Sequence, residues 1–359
     1  MQLAEFTFII TDACNYHCSY CPQKKENKYM DNSLMEKALD FFYPFFKEEI
    51  FIHFYGGEPL LAFRQIQHTV TLLNEKNKRS GKKIQYCITT NGSLVTGDIL
   101  EFFNLHHFSV TISFDGLAHD MGRKKGSFEQ TVSIIKKLLK YPGIHLSTNS
   151  VFTPETVGYL YQSLRFIAEL GVPDIRFSLS IIEMWPETAL IYFKDQLVLV
   201  RQFLLHRYQQ DNTIPVSNFS KNERKSKRIF GCFAGKDRMA LTADGNVWGC
   251  YRFPDYFKGK EATGEYREFF FGGLDYFIEN YEIIYPKILS NYSSFRQDVF
   301  FTPHTFCYLC HDVEQCSVCP VSAAFATGSD MLGEISTWEC KIQRIQREIV
   351  NEFHQRLKS

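Results

Sequence analysis

The chain has 359 residues, is 45% hydrophobic, and balances 40 Lys and Arg against 40 Asp and Glu, so its formal net charge is zero. That length suits one large domain plus a smaller one, and zero net charge gives no electrostatic footprint for nucleic acid or an anionic membrane. Eleven cysteines is a high and odd number; with no basic-then-apolar start for export and no apolar run long enough to span a bilayer, clustered thiols read as metal ligands, not disulfides, and the expected setting is a reducing cytoplasm.

In chain order, residues 3–10 (LAEFTFII) read as a first strand. It runs into Cys14-Asn15-Tyr16-His17-Cys18-Ser19-Tyr20-Cys21, three thiols at C-x3-C-x2-C spacing with Pro22 next. This spacing would place the thiols on one helix face, but Pro22 pushes Cys21 out of the helical region, so a loop wrapped around a metal centre is expected. Thiolates so spaced suit zinc or an iron–sulfur cluster, and three donors leave a position open for a small molecule. Ser33 and Glu36 read as a capping box ahead of Leu34, Ala38, Phe41, Phe42 and Phe45 at helical spacing. A second strand, 49–55, meets Gly56-Gly57-Glu58-Pro59, and a helix follows over 61–78. The third strand, 82–89, carries Cys87 as a buried, inert thiol and ends at Thr90-Asn91-Gly92.

After a short helix, a fourth strand (108–113) leads to Phe114-Asp115-Gly116. A helix over 127–140 and a strand over 144–152 come next. Pro154 is expected to open a helix that Gly171 stops, and a sixth strand covers 174–182. Six alternating strand–helix units predict an α/β fold with a parallel sheet and right-handed crossovers. The expected form is a partial (βα)6 TIM-like barrel with its site at the C-terminal edge of the strands.

Beyond the barrel, residues 189–210 read as a helix and 211–230 as a linker. Cys232 precedes a hairpin over 238–253 that turns at Ala243-Asp244-Gly245-Asn246, with Cys250 on its return strand. The aromatic-rich stretch 256–300 fits a peptide groove or core packing. Cys307-x2-Cys310-x5-Cys316-x2-Cys319 and Cys340 complete a thiol-rich region. Two structural zinc sites are one reading of these thiols, with His304 and His311 as outer or surface groups.

The first cysteine loop resembles that of the radical S-adenosylmethionine (SAM) enzymes, in which three cysteines hold a 4Fe–4S cluster whose fourth iron is chelated by SAM. The resemblance extends through Gly56-Gly57-Glu58-Pro59, Thr90-Asn91-Gly92, and Ser113-Phe114-Asp115-Gly116 with His119, Asp120 and Arg123. It implies Cys14, Cys18 and Cys21 as cluster ligands. It also implies a SAM site made of Tyr20 (its backbone at the adenine), Gly56, Gly57, Glu58 and Pro59 (at the amino group), Asn91, Ser113, Asp115 and Arg123. The spacer between Asp115 and His119 is shorter than is usual in the family.

The later cysteines resemble the SPASM domain of radical SAM enzymes that modify peptides and proteins, including its Gly-x4-Cys as Gly245 and Cys250. The interval from Cys232 to Cys250 is long for that pattern, and the last C-x2-C is one residue short. The resemblance implies an auxiliary 4Fe–4S cluster on Cys307, Cys310, Cys316 and Cys340. A second would sit on Cys232, Cys250 and Cys319, with one iron left for Asp237 or a substrate. Three 4Fe–4S clusters and SAM are thus the expected cofactors.

The implied division is a radical SAM barrel (1–188), helix and linker (189–230), SPASM domain (231–345) and C-terminal helix (346–359). The implied activity is oxidative modification of a ribosomally made peptide or protein, such as a thioether or carbon-based crosslink, through a 5′-deoxyadenosyl radical. A flavodoxin or ferredoxin would donate electrons. With the cluster loop beginning at residue 14, a leader-peptide recognition domain is expected to be absent or a separate protein. Sulfatase maturation is disfavoured, because those enzymes carry Asp where Tyr251 follows Cys250. A small-molecule radical SAM dehydrogenase and a zinc-stapled binding protein are the alternatives. Asp255 and Tyr251 fall near the expected cleft without an assigned role, and the catalytic residues are unknown.

Overall fold

The computed structural model describes residues 1–220, 232–260, 264–293, 310, 316, 318–328, 332 and 334–358. Cys307, His304 and His311 lie outside the described residues. The chain opens with β1 (Leu3–Thr11), α1 (Asn32–Phe42), β2 (Phe46–Gly56), α2 (Phe63–Asn77), β3 (Lys83–Thr90), α3 (Gly97–Leu105) and β4 (Ser109–Ser113). It continues with α4 (His119–Gly122), α5 (Phe128–Leu138), β5 (His145–Phe152), α6 (Leu160–Glu169), β6 (Asp174–Leu179) and α7 (Glu187–Asp211). These six strands pair in parallel in the order β6-β5-β4-β3-β2-β1, as the alternation of elements predicts.

Side chains alternate across this sheet with the strand period of two. Phe6, Phe8, Ile52, Phe54, Val110 and Ile112 are buried toward the helices, where Phe6 meets Phe42 with ring centroids 4.8 Å apart. Thr7, His53, Thr89, Thr111, Ser147 and Asn149 face the other way and line a cavity of about 1190 Å³. Cys87 is buried as expected, but it sits on this polar face and lines the cavity instead of packing in an apolar run. Burial pushes its thiol up to about 12.

The hairpin is β7 (Arg238–Leu241) and β8 (Asn246–Trp248). It is no separate layer: β7 pairs in parallel with β1, and β8 pairs with β9 (Phe270–Gly273), so one nine-stranded sheet runs from β6 to β9. Between them lies α8 (Arg252–Phe257), and α9 (Leu274–Glu279), α10 (Tyr281–Ser293), α11 (Pro320–Thr327) and α12 (Thr337–Arg356) follow. The aromatics described in the 256–293 stretch serve packing. Tyr266, Phe269, Phe271, Phe277, Tyr285 and Tyr292 are buried, and the Phe271 and Tyr292 rings stack at 5.6 Å. No helix among the described residues is long and apolar enough to cross a membrane.

Several local expectations need correction. The cap of α1 is Asp31, whose side chain accepts from Ser33 N at 3.2 Å, while Glu36 pairs with His68. Pro154 does not open a helix: Thr153 and Thr156 close a turn, and α6 begins at Leu160. The first part of the expected linker is docked. Val216 bridges Ile175, and the Asn218 amide accepts from Phe177 N at 3.0 Å and donates to Phe177 O at 3.0 Å, in the manner of a strand neighbour. The C-terminal helix starts at Thr337, because Ser336 and Glu339 form a capping box there, so the expected start at 346 falls inside it. Helix α12 returns to α7 through Lys341–Glu187 at 2.6 Å, Lys194–Glu348 at 3.1 Å and Arg201–Glu352.

Candidate active site

At the C-terminal edge of β1 and β2, two loops meet backbone to backbone. Gly57 N donates to Thr11 O and Glu58 N to Ala13 O, both at 2.8 Å. A Cβ at Gly56 would overlap the Thr11 carbonyl oxygen, and one at Gly57 the Ala13 carbonyl oxygen. Gly56 also has φ +135°, outside the range of ordinary side chains. The glycine pair is therefore required by the approach of the cysteine loop.

This contact brings Glu58 inward. It is 1% exposed, and its carboxylate accepts from Thr90 Oγ1 (2.6 Å), Leu60 N (3.1 Å) and Asn91 N (2.8 Å). Burial raises its pKa, and these three bonds oppose the rise. Four lone-pair sites with three donors leave Glu58 one acceptor position for a cationic group. Asn91 continues the network: its amide donates to Asn15 Oδ1 at 2.9 Å, and Asn15 donates to Ser93 Oγ at 2.8 Å. The loops after β1, β2 and β3 are thus cross-braced.

The third brace lies under Tyr20. Asp115 accepts from Tyr20 OH at 2.5 Å, from Arg123 Nε and Nη2 at 2.9 and 2.8 Å, and from Val151 N at 2.8 Å. The Arg123 guanidinium lies 5.4 Å from the Tyr20 ring centroid. A Cβ at Gly122 would stand 2.7 Å from that ring. Neighbouring His119 is wholly buried, and burial together with the Arg123 charge pushes its pKa down to about 4.

Cys14, Cys18, Cys21, Tyr20, Gly56, Gly57, Glu58, Asn91, Ser113 and Arg123 all line the one cavity. Two expected cofactor residues do not. Pro59 starts a short 3-10 turn behind Glu58, and Asp115 faces Arg123, with both oxygens committed to protein donors. Desolvation raises the pKa of Cys14 and of Cys18. Among the described residues no three His, Cys, Asp or Glu side chains stand at the spacing of a single metal ion. Three soft thiols bordering an open cavity are a donor set that fits a larger iron–sulfur group.

The second thiol set is partly described. Cys232 and Cys319 both lie within electrostatic reach of Cys250, and Cys319 lines the same cavity. Cys310 accepts from Arg344 Nη2 at 3.5 Å, and Arg344 is one turn beyond Cys340 on α12. Asp237 has its carboxylate 4.0 Å from Arg238.

Sequence reasoning left Asp255 without a role. It is buried against the cavity, accepting from Gln23 Nε2 at 2.7 Å and Tyr55 OH at 3.0 Å, and burial pushes its pKa up to about 6. The signal available was its place one helical turn after Tyr251, directly beyond Cys250. Lys258 was missed as well; it pairs with Asp12 at 2.6 Å and Glu26 at 3.0 Å on the cysteine loop.

The Radical SAM superfamily model matches residues 8–167. Those residues are a radical SAM domain. Among similar proteins, the radical SAM cyclopropyl synthase TigE of Paramaledivibacter caminithermalis is 24% identical over 285 residues, 71% of this chain and 59% of that protein. The serine-type anaerobic sulfatase-maturating enzyme of Bacteroides thetaiotaomicron is 30% identical over 180 residues, 46% of this chain and 43% of that protein. An uncharacterized protein of Methanocaldococcus jannaschii, MJ0907, is 34% identical over 175 residues, 47% of this chain and 60% of its own. The chain thus spans between 43% and 60% of these relatives' lengths.

Solved structures extend the fold likeness beyond the radical SAM domain. Native anSMEcpe with bound AdoMet and Cp18Cys peptide superposes with a TM-score of 0.75 at 17% identity, covering 99% of this chain and 100% of that one. SuiB of Streptococcus suis bound to precursor peptide SuiA gives 0.60 at 15% identity, covering 93% and 75%.

Proposed function

We propose that this protein is a SAM-dependent radical maturase acting on a peptide or protein. The observation that carries the reading is that Cys14, Cys18, Cys21, Glu58 and Cys319 border one open cavity. At about 1190 Å³ it has room for a cluster and SAM together, and the likeness to structures solved with bound peptides supports a peptide substrate.

In this reading Cys14, Cys18 and Cys21 hold a 4Fe–4S cluster. Glu58 accepts from the SAM ammonium, Tyr20 presents its backbone to the adenine, and Asn91 and Ser113 line the remaining polar edge. When bound, cluster and SAM supply a 5′-deoxyadenosyl radical that removes hydrogen from a substrate carbon. Cys232, Cys250 and Cys319 hold one auxiliary cluster, and Cys307, Cys310, Cys316 and Cys340 the other. A division at 1–188, 189–230 and 231–345, a flavodoxin or ferredoxin donor, and a separate leader-recognition protein belong to the same reading. Relatives that mature sulfatases and make cyclopropyl groups support it.

The test is anaerobic reconstitution. Wild type should bind about twelve iron atoms, four per cubane, and cleave SAM when reduced. A Cys14→Ala, Cys18→Ala, Cys21→Ala variant should lose about a third of the iron and all 5′-deoxyadenosine formation. Stoichiometric zinc with no sulfide, or SAM cleavage by the triple variant, would overturn the assignment.

A further inference from the structure

Arg252 opens α8 two residues after Cys250. Its Nη1 donates to Tyr256 OH at 2.9 Å and to Ser322 Oγ at 3.2 Å. Ser322 is in the first turn of α11, three residues after Cys319. The guanidinium lies 5.7 Å from the Tyr251 ring centroid. It is therefore clamped between the segments that carry Cys250 and Cys319, and it lines the cavity.

Its tethers are neutral. Among the described residues no carboxylate comes within 4.0 Å of it, and its side-chain hydrogen bonds go to the Tyr256 and Ser322 hydroxyls. Asp255, one turn along the same helix, feels its charge but spends its oxygens on Gln23 and Tyr55. Tyr251, Tyr256, Cys319 and Cys250 are in electrostatic contact with Arg252 as well. A fixed cation held in a protein wall without a direct ion pair is costly, and Cys250 and Cys319 as thiolates would add the close negative charge that Asp255, bonded elsewhere, does not supply.

We propose that Arg252 is an electrostatic positioning residue for the iron–sulfur group on Cys232, Cys250 and Cys319, raising its reduction potential so that it takes an electron more readily. The inference rests on the iron–sulfur reading of these thiols given above. The redox step is uptake of one electron, making the group one charge more negative, with no bond or proton change; the donor is a one-electron reductant, dithionite in the test and a substrate radical in turnover. A nearby fixed cation stabilises the more negative state, and free guanidinium N–H donors add to the effect, since charge and hydrogen bonds to the sulfurs are the terms that set such potentials.

The experiment uses the full chain in the Cys14→Ala, Cys18→Ala, Cys21→Ala background, which removes the SAM-site signal. The auxiliary spectrum is followed by electron paramagnetic resonance during a dithionite titration. Arg252→Gln should lower the reduced-to-oxidised ratio at a fixed potential at least tenfold, a midpoint about 59 mV more negative for a one-electron couple. Arg252→Lys, which keeps the charge, should move it less than Arg252→Gln. Tyr256→Phe, which removes one tether and no charge, should move it by less than threefold. If both Arg252 variants load iron and titrate with the parent, or if Tyr256→Phe shifts the midpoint as much as Arg252→Gln, the inference is overturned. Absence of any iron–sulfur signal in the triple-Ala parent overturns the reading of the thiols itself, and the inference with it.

Discussion

Arg123 separates two explanations of one geometry: a guanidinium that holds SAM, or one that holds the scaffold around it. Replace it with Met. Asp115, 1% exposed, then keeps only Tyr20 OH and Val151 N and loses two charge-assisted bonds of 2.9 and 2.8 Å. Removing one partner of a buried pair costs about 3–5 kcal/mol, because the remaining charge is left uncompensated. For a chain of this size that is about 4–7 °C of Tm. Adding Asp115→Asn removes the stranded charge, so the double variant should recover more than half of the loss in a double-mutant cycle. Tm of the apo-protein by scanning fluorimetry and SAM affinity of the reconstituted protein by calorimetry read the two roles separately. A single variant that loses less than about 1 kcal/mol, or a double variant no more stable than the single, would refute the buried-pair argument. A double variant of near-native Tm that fails to bind SAM would restore Arg123 to the cofactor.

Two further outcomes follow from the same region. Gly57→Ala forces a Cβ into the Ala13 carbonyl oxygen and should abolish iron loading at the first cysteine loop, whereas Gly97→Ala, with nothing within 4 Å of its added Cβ, should load normally; equal iron content in the two would show that the loops part easily. His119, folded with a pKa of about 4 against an ordinary 6.5, binds its proton more readily when unfolded. Its contribution is present above pH 6.5 and is lost as pH falls from 6.5 toward 4, about 3 kcal/mol in all, so denaturant titrations of His119→Gln should show a flatter acid limb than wild type.

The barrel could be read from the sequence because its signals are local. Strand 3–11 is punctuated by the cysteine loop, strand 46–56 by its glycine pair, and strand 83–90 by Thr90-Asn91-Gly92. What stayed hidden depends on partners distant in the chain. Nothing in residues 238–248 announces that Arg238 will pair with Glu5 in register, since a hairpin pattern specifies its own turn and not its outer neighbour. Val216 and Asn218 look like linker residues because their strand partner is the edge of β6. Asp115 reads as a cofactor residue because it sits in a motif with Ser113, and only the fold reveals the four protein donors around it. Asp31 rather than Ser33 is the cap because its side chain accepts from Ser33 N in the first turn, a choice that cap-forming residues two positions apart leave open.

The same distant pairings bear on how the two thiol regions work together. Gln23, two residues past Cys21, is bonded to Asp255, five past Cys250, and Lys258 reaches back to Asp12 and Glu26 on either side of the first cysteine loop. These ties join the loop to α8, and β7 joins the hairpin to β1 by the sheet itself. A loop of some twenty residues with little secondary structure would otherwise sample many conformations, at about 1–2 kcal/mol of backbone entropy per ordered residue. Fixing it against both the Gly56–Glu58 segment and α8 limits the conformations it must give up to hold its three thiols together. The thiol-rich C-terminal region is therefore part of what shapes the SAM-side loop, so disturbing α8 should be felt at Cys14, Cys18 and Cys21 even where no contact with SAM is lost.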